Sequence, residues 1–373
     1  MHLTWPEVST RRLARNHLVA PAPSDPARVA ADLLGVHAQV MSAAEVSVGI
    51  RCADVTRTGV RAALWTARTL VKSRGPRGTV HLLAAQDLPM WTGAMSALPA
   101  GPDGWPEPDT ERVLAAMADA VAGAELTVDE LTDALVARVG PWVGERVLEA
   151  FGDKWPRWRA IEGLATHRGV LCFGPDRGRR TTYTSPRRWL PGFVPASAEP
   201  ALTALVERFL HAYGPATPAQ FARWLGAPPG WAARLFARQT GIEEIDFDGT
   251  PAFVVAGDTG PGADVGGVRL LPYFDTYLIA CFPRHRLFPG PAAERALSAG
   301  QAGNVPAVLI DGEVGGVWHQ RRSGATIRVT VEPLIRLTAA RRRAVEVEAD
   351  RIGHILEGAA ATTFGAVTVG AHA

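Results

Sequence analysis

Lysine is almost missing from this 373-residue chain: among 39 Lys and Arg, only Lys72 and Lys154 are lysine. Composition alone does not separate a GC-rich coding bias from a role in binding phosphate, for which arginine is the better ligand. Cysteine is scarce as well. Cys52, Cys172 and Cys281 are odd in number and share no paired spacing, which argues against a disulfide framework or a zinc ribbon and leaves three buried thiols. No apolar run approaches the roughly 18 residues of a membrane span, and Met1 to Arg15 has no apolar core segment. A cytoplasmic protein with no membrane partner is expected. The chain also lacks a phosphate-binding loop ending in Gly-Lys-Ser/Thr, a His-Glu-x-x-His pair, a Gly-x-Ser-x-Gly elbow and a dinucleotide fingerprint. The ten histidines show no metal-ligand spacing. Neither a metal nor a cofactor is expected.

What is present suffices for packed cores: 47% of residues are hydrophobic, and the length suits several domains. Net charge is only +2, but it is unevenly spread. Seven Lys/Arg face one acid between Arg51 and His81, and nine face three between Phe151 and Leu190.

One stretch combines polar side chains with apolar surroundings. Asp25-Pro26 opens a helix whose Val29, Ala30, Leu33 and Leu34 share a face, Gly35 stops it, and Ser42 with Glu45 reads as a capping box for the next. His37-Ala38-Gln39 therefore falls in a connector. Residues two apart diverge by about 200° on a helix but share a face in extended backbone, so His37 and Gln39 are expected to project into one site.

Downstream, a helix is expected from Thr56 to Ser73, with Arg57, Arg61, Arg68 and Lys72 in one narrow sector beside an apolar face. Gly75-Pro76-Arg77-Gly78 turns into a strand over 79–83, in which His81 reads as a hydrogen-bonded structural histidine. A linker over 98–109 separates this from a second group, with a capping box at Thr127 and Glu130 and a tryptophan-rich helix over 155–167. Trp155 and Trp158 read as core. Two strands follow around a basic turn carrying Arg177, Arg179 and Arg180. Helices and a hairpin recur over 201–255, with Thr217-Pro218 as a helix start and Asp248-Gly249 as a turn. Beyond residue 258 the chain is Gly-rich and strand-like, then helical over 338–357, with a last strand over 364–369. The expected fold is α+β: tandem winged helix-turn-helix units over 1–97, 98–197 and 198–258, and a small β-barrel with a C-terminal helix over 259–373.

The order of these pieces resembles the AlkZ-like bacterial DNA glycosylases, a winged-helix superfamily with a Gln-x-Gln or His-x-Gln motif near the N-terminus. The resemblance runs through Gly35 to Glu45, Arg77-Gly78-Thr79-Val80-His81-Leu82, Gly169 to Pro175, Leu270 to Tyr277 and Asp311 to Trp318. It implies tandem winged helices around a DNA-binding concavity, and excision of N7-alkylated guanine, often as self-resistance to an alkylating natural product. By that resemblance His37 and Gln39 are the catalytic pair, and His37 marks the His-x-Gln clade. Alkylation at N7 makes the base a good neutral leaving group, so the remaining work is to stabilise a cationic sugar and place a water. Gln39 suits the second task through its amide oxygen, and His37 by accepting or orienting a proton. Any carboxylate comes from elsewhere in the chain, with Asp275 a candidate.

Arg57, Arg61, Arg68, Lys72, Arg74, Arg77, Arg177, Arg179 and Arg180 are candidates for backbone phosphate, or else a solvated face. The expected partner is double-stranded DNA containing alkylated guanine, bound by a monomer. Two other functions suit the same elements: a transcription regulator, which expects a dimer on a palindromic site, and a protein that binds lesions without cutting.

Overall fold

The computed structural model describes residues 1–99, 105–150, 152–260, 262 and 266–370. The fold is α+β, and three times along the chain helices lead into an antiparallel hairpin.

In the first group, Asp25 caps the helix Pro26–Asp32 by accepting from the Ala27 and Arg28 backbone N–H groups. Leu34 and Gly35 then take positive φ of 53° and 91° and turn the chain into the strand Val36–His37. That strand pairs with one edge of Val80–Ala84, whose other edge pairs with Leu70–Arg74. Val29, Leu33, Leu64, Leu70 and Leu82 fill the core beneath, all fully buried. Each contributes about 2 kcal/mol by leaving water.

The expected helix over 56–73 is two elements: a helix Arg57–Trp65 and the strand Leu70–Arg74. Arg68 at φ 55° breaks the helix, and over 70–74 pairing with Val80–Ala84 outweighs local helix propensity. The four-cation sector therefore does not form. The capping box expected at Ser42 and Glu45 is also absent, because the helix Met41–Gly49 starts after Val40 and Glu45 lies buried in it.

The second group has its own core around Trp158, Leu131, Leu135 and Tyr183. Of the linker expected over 98–109, residues 100–104 lie outside the described residues, and Glu107–Val121 is already helix. The Thr127–Glu130 capping box forms at Val128–Val139. The tryptophan-rich helix is shorter than expected: Lys154–Pro156 is a strand, a 3₁₀ turn follows, and Glu162–His167 is the helix. Cys172–Arg177 and Arg180–Thr184 form the hairpin.

In the third group, Ala198–Tyr213, Pro218–Leu225 and Pro229–Phe236 precede the hairpin Ile242–Phe247 and Thr250–Val255. The chain start joins this hairpin, since His2–Leu3 pairs in parallel with Asp246 and Phe247.

The C-terminal part contains no closed barrel among the described residues. It is an open sheet in the order Val268–Leu271, Ala307–Ile310, Glu313–Ser323, Thr326–Pro333 and Ala359–Phe364. The helix Ala339–Ile355 carries the chain back across the sheet, so the last strand adds in parallel at one edge instead of closing the ring. That strand lies earlier in the chain than the expected 364–369. Ile355 packs so closely on Gly49 that a Cβ there would lie 2.7 Å from it, which fixes the C-terminal helix against the helix after the motif.

Candidate active site

His37 is held on three sides. Its strand sets it opposite His81, and the two rings stand edge to face with centroids 5.1 Å apart. Its other face stacks on Phe274 at 4.7 Å. The Ala38 N–H donates to the Val80 carbonyl at 2.7 Å and ends the pairing. His81 Nδ1 donates to the Thr79 carbonyl at 2.9 Å, which fixes its tautomer and makes it the structural histidine expected from the sequence. Burial, and after it the Arg77 charge, push His37 down to about 4. His37 is therefore a neutral imidazole at neutral pH, and its buried Nδ1 has no hydrogen-bond partner among the described residues.

Phe274 is brought there by Asp275. That carboxylate is fully buried, accepts two 2.8 Å bonds from Arg51, one from Ser47 Oγ and one from the Tyr277 N–H. All its strong acceptor positions are used, so Asp275 holds the Phe274 segment against the helix after the motif and has no room for a reacting water. As a candidate catalytic carboxylate it is displaced by this structural duty.

His37 and Gln39 do not face one cavity. The chain bends after His37, and the division runs between His37 and Ala38 on one strand and between Thr79 and Val80 on its neighbour. Gln39 is exposed and lines a cavity of about 650 Å³ with Lys72, Arg74, Arg159, Arg179 and Arg180. His37 lines a second cavity of about 380 Å³ with Arg77, Arg223, Phe274 and Arg284. Extended backbone would have kept both side chains on one face; the strand is only two residues long, so the alternation stops between them.

The cations divide by what they neutralise. Arg61 and Arg57 lie 2.6 and 3.9 Å from the buried Glu45 carboxylate and line neither cavity. Arg68 donates to the Arg188 carbonyl and sits over Trp189. Lys72 and Arg74 alternate on one strand and so share a face onto the larger cavity. Arg74 and Arg159 take one oxygen each of the buried Glu162, at 2.5 and 2.9 Å. Arg177 is paired with Glu130. Arg179 and Arg180 are exposed and form no ion pair among the described residues.

Trp158 is core, donating to Thr132 at 2.8 Å, but Trp155 is 38% exposed, carries Arg159 over its ring and lines the larger cavity. Sequence reasoning missed Phe274, Arg223 and Arg284 as neighbours of His37. They lie nearly 200 residues or more away, and no local pattern joins them.

Two buried histidines, His37 and His81, and the half-buried His167 make the fold acid-sensitive. His37 and His167 are pushed to about 4, and His81 well below the ordinary range, in each case first by burial. The unfolded chain binds protons below about pH 6.5 that native His37 and His167 refuse until about pH 4, and His81 is shifted the same way, so stability falls as pH drops through that window. The expected loss at pH 5 is about 2 kcal/mol for each of His37 and His167. Urea unfolding at pH 7.5 and pH 5 measures it, and a flat midpoint would contradict the burial of these rings.

A neutral imidazole and an exposed amide thus lie beside two adjoining cavities whose walls carry several cationic side chains. The chain belongs to the AlkZ-like DNA glycosylase family, whose model matches residues 30–355. It is a hydrolase of N-glycosyl bonds, which sets aside the transcription-regulator and non-catalytic alternatives. It is 32% identical over 342 residues to the interstrand DNA cross-link repair glycosylase of Streptomyces sahachiroi, a match covering 86% of this chain and 88% of that protein. It resembles the solved structure of Streptomyces sahachiroi DNA glycosylase AlkZ with a TM-score of 0.77 at 27% identity, covering 98% of this chain and 100% of that one.

Proposed function

We propose that this glycosylase removes N7-alkylated guanine carrying a bulky natural-product adduct from double-stranded DNA, as a monomer, with His37 and Gln39 at the reacting sugar. The observation that carries the reading is His37: a ring clamped between Phe274 and His81, neutral, with a buried nitrogen that nothing in the described residues satisfies. A buried unsatisfied acceptor or donor is unfavourable by about 1–3 kcal/mol. A water or substrate group in the reacting complex relieves it.

The chemistry follows from charge. The N7-alkylated base leaves as a neutral species, and positive charge moves onto the sugar. A strong general base is not needed to bring water to so electrophilic a carbon, and a histidine near 4 is a weak one. His37 thus orients water by accepting its hydrogen bond, and the Gln39 amide oxygen holds the same or a neighbouring water from the adjoining cavity. The separate cavities suit a substrate whose adduct and sugar occupy different spaces.

The test is incubation with duplexes carrying defined N7-alkylguanines, followed by an assay for alkali-labile abasic sites. Release from at least one bulky adduct is expected; no release from any N7 adduct would overturn the specificity. Because His37 protonates only near pH 4, single-turnover release should be level from pH 8 to about pH 6 where the fold is intact.

Binding to DNA tests the cations separately. Arg179→Gln together with Arg180→Gln should lower the slope of log affinity against log salt by about 1.8, at about 0.9 per phosphate contact. Arg57→Gln should leave the slope unchanged, because that side chain serves Glu45. Equal slopes for all three proteins would remove Arg179 and Arg180 from the interface.

A further inference from the structure

The cavity behind His37 holds an electrostatic imbalance. Arg77, Arg223 and Arg284 all line it, and among the described residues none of them is paired with a carboxylate. Their hydrogen bonds go to neutral carbonyls: Arg77 Nη1 to Trp224 at 2.6 Å, Arg223 Nη2 to Gly300 at 3.3 Å, and Arg284 to Cys281 at 2.7 Å and Ile279 at 2.6 Å. The Arg284 Nε is buried with no partner. Arg223 and Arg284 also share the ring of Phe282, at 5.7 and 4.2 Å from its centroid. Burial pushes Arg77 and Arg284 down to about 10, which is how desolvated cations without a counter-ion behave.

Carbonyl capping explains part of this. Arg284 closes the end of the helix Thr276–Ala280, and Arg77 reaches the last turn of Pro218–Leu225. It does not explain Arg223, whose one long bond to a carbonyl requires no charge. Nor does it explain why three cations line a wall without a single acid among the lining residues.

We propose that this cavity is a phosphodiester subsite, in which Arg77, Arg223 and Arg284 receive the backbone phosphate next to the nucleotide whose glycosidic bond lies against His37. The placement of that nucleotide rests on the proposed glycosylase function. Guanidinium groups match phosphate oxygens in charge and fork geometry. The space, about 380 Å³, admits a phosphate with its flanking sugar atoms. The reaction supplies a further reason for an anion. Breaking the glycosidic bond builds positive charge on the sugar, and three uncompensated arginines beside it would oppose that charge. A phosphodiester among them offsets one of the three charges and sets a negative charge nearer to the sugar carbon than the guanidinium groups are.

The test uses full-length protein and duplexes with a tetrahydrofuran abasic analogue, in which a single uncharged methylphosphonate replaces each neighbouring phosphate in turn. Binding is read by fluorescence anisotropy. In the wild type, one flanking position should weaken binding by about tenfold relative to a methylphosphonate placed three nucleotides away. Arg223→Gln should shrink that positional penalty below about threefold, because the lost charge no longer has its partner. Arg180→Gln, in the other cavity, should keep the full penalty. Arg223 is exposed, so its variant reports without disturbing the fold; Arg77→Gln repeats the test where it folds.

No positional penalty in the wild type, or a full penalty retained by Arg223→Gln, overturns the subsite. A cavity that takes free phosphate instead shows stabilisation by inorganic phosphate with no positional penalty, which also overturns it. Base release from N7-alkylguanine DNA is measured in parallel. A positional penalty without base release defeats the functional reading and leaves the subsite standing, while base release without a penalty does the reverse.

Discussion

Gln39→Ala should lower single-turnover release of an N7-alkylguanine by about 10²- to 10⁴-fold, the range for losing a group that positions or polarises a reacting water, with no loss of stability. The second half follows from exposure: the Gln39 side chain is open to the larger cavity and hydrogen-bonded to no other described residue, so its removal leaves no hole and no orphaned partner. His37→Ala should behave differently. It removes a ring packed on Phe274 and His81, so both rate and stability fall. His37→Gln restores an amide like that of Gln39 at the neighbouring position. It should recover part of the rate if His37 acts by hydrogen bonding, and none if it acts as a proton acceptor. Undiminished release by Gln39→Ala would defeat the assignment.

Asp275→Ala should destabilise the protein by about 3–5 kcal/mol, because it leaves Arg51 charged and without its carboxylate in a site closed to water. Arg51 would keep only neutral acceptors, the carbonyls of Asn16 and Ser47 and the Ser47 hydroxyl. Urea unfolding measures the loss. Combining the change with Arg51→Met should recover much of it, since removing both charges avoids the unpaired one. The effect should reach the site as well. Asp275 is the residue after Phe274, whose ring lies on His37, so a loosened segment should slow base release even below the unfolding midpoint. A stable Asp275→Ala variant with full activity would show that the ion pair neither supports the fold nor places Phe274.

Much of the local structure is written in short-range signals. Asp25-Pro26, Thr127 with Glu130, and Thr217-Pro218 all start helices where their capping chemistry places them, because a cap satisfies backbone N–H groups within three residues. Asp248-Gly249 turns a hairpin for the same local reason: both residues take positive φ. The helix expected over 56–73 failed where a distant strand competed. Leu70 to Arg74 suits either state by composition, and only Val80–Ala84 alongside it makes the strand. The expected barrel failed for a related reason, since whether a sheet closes depends on where its final crossover lands.

The charges show the same boundary more sharply. From sequence, Arg57 and Arg61 are as good phosphate ligands as Arg179 and Arg180. Folding buries Glu45 beside the first pair and leaves the second pair exposed, and no residue spacing carries that difference. The residues His37, Ala38 and Gln39, their place in a connector between helices, and the family they point to were all legible in the sequence alone. Local caps and a glycine stop are enough to set a connector. The separation of His37 from Gln39 into two cavities, the loss of basicity at His37 and the arrival of Phe274, Arg223 and Arg284 beside it were decided by tertiary structure. Burial, desolvation and contact across hundreds of residues are properties of the packed chain, and they exist only once it has folded.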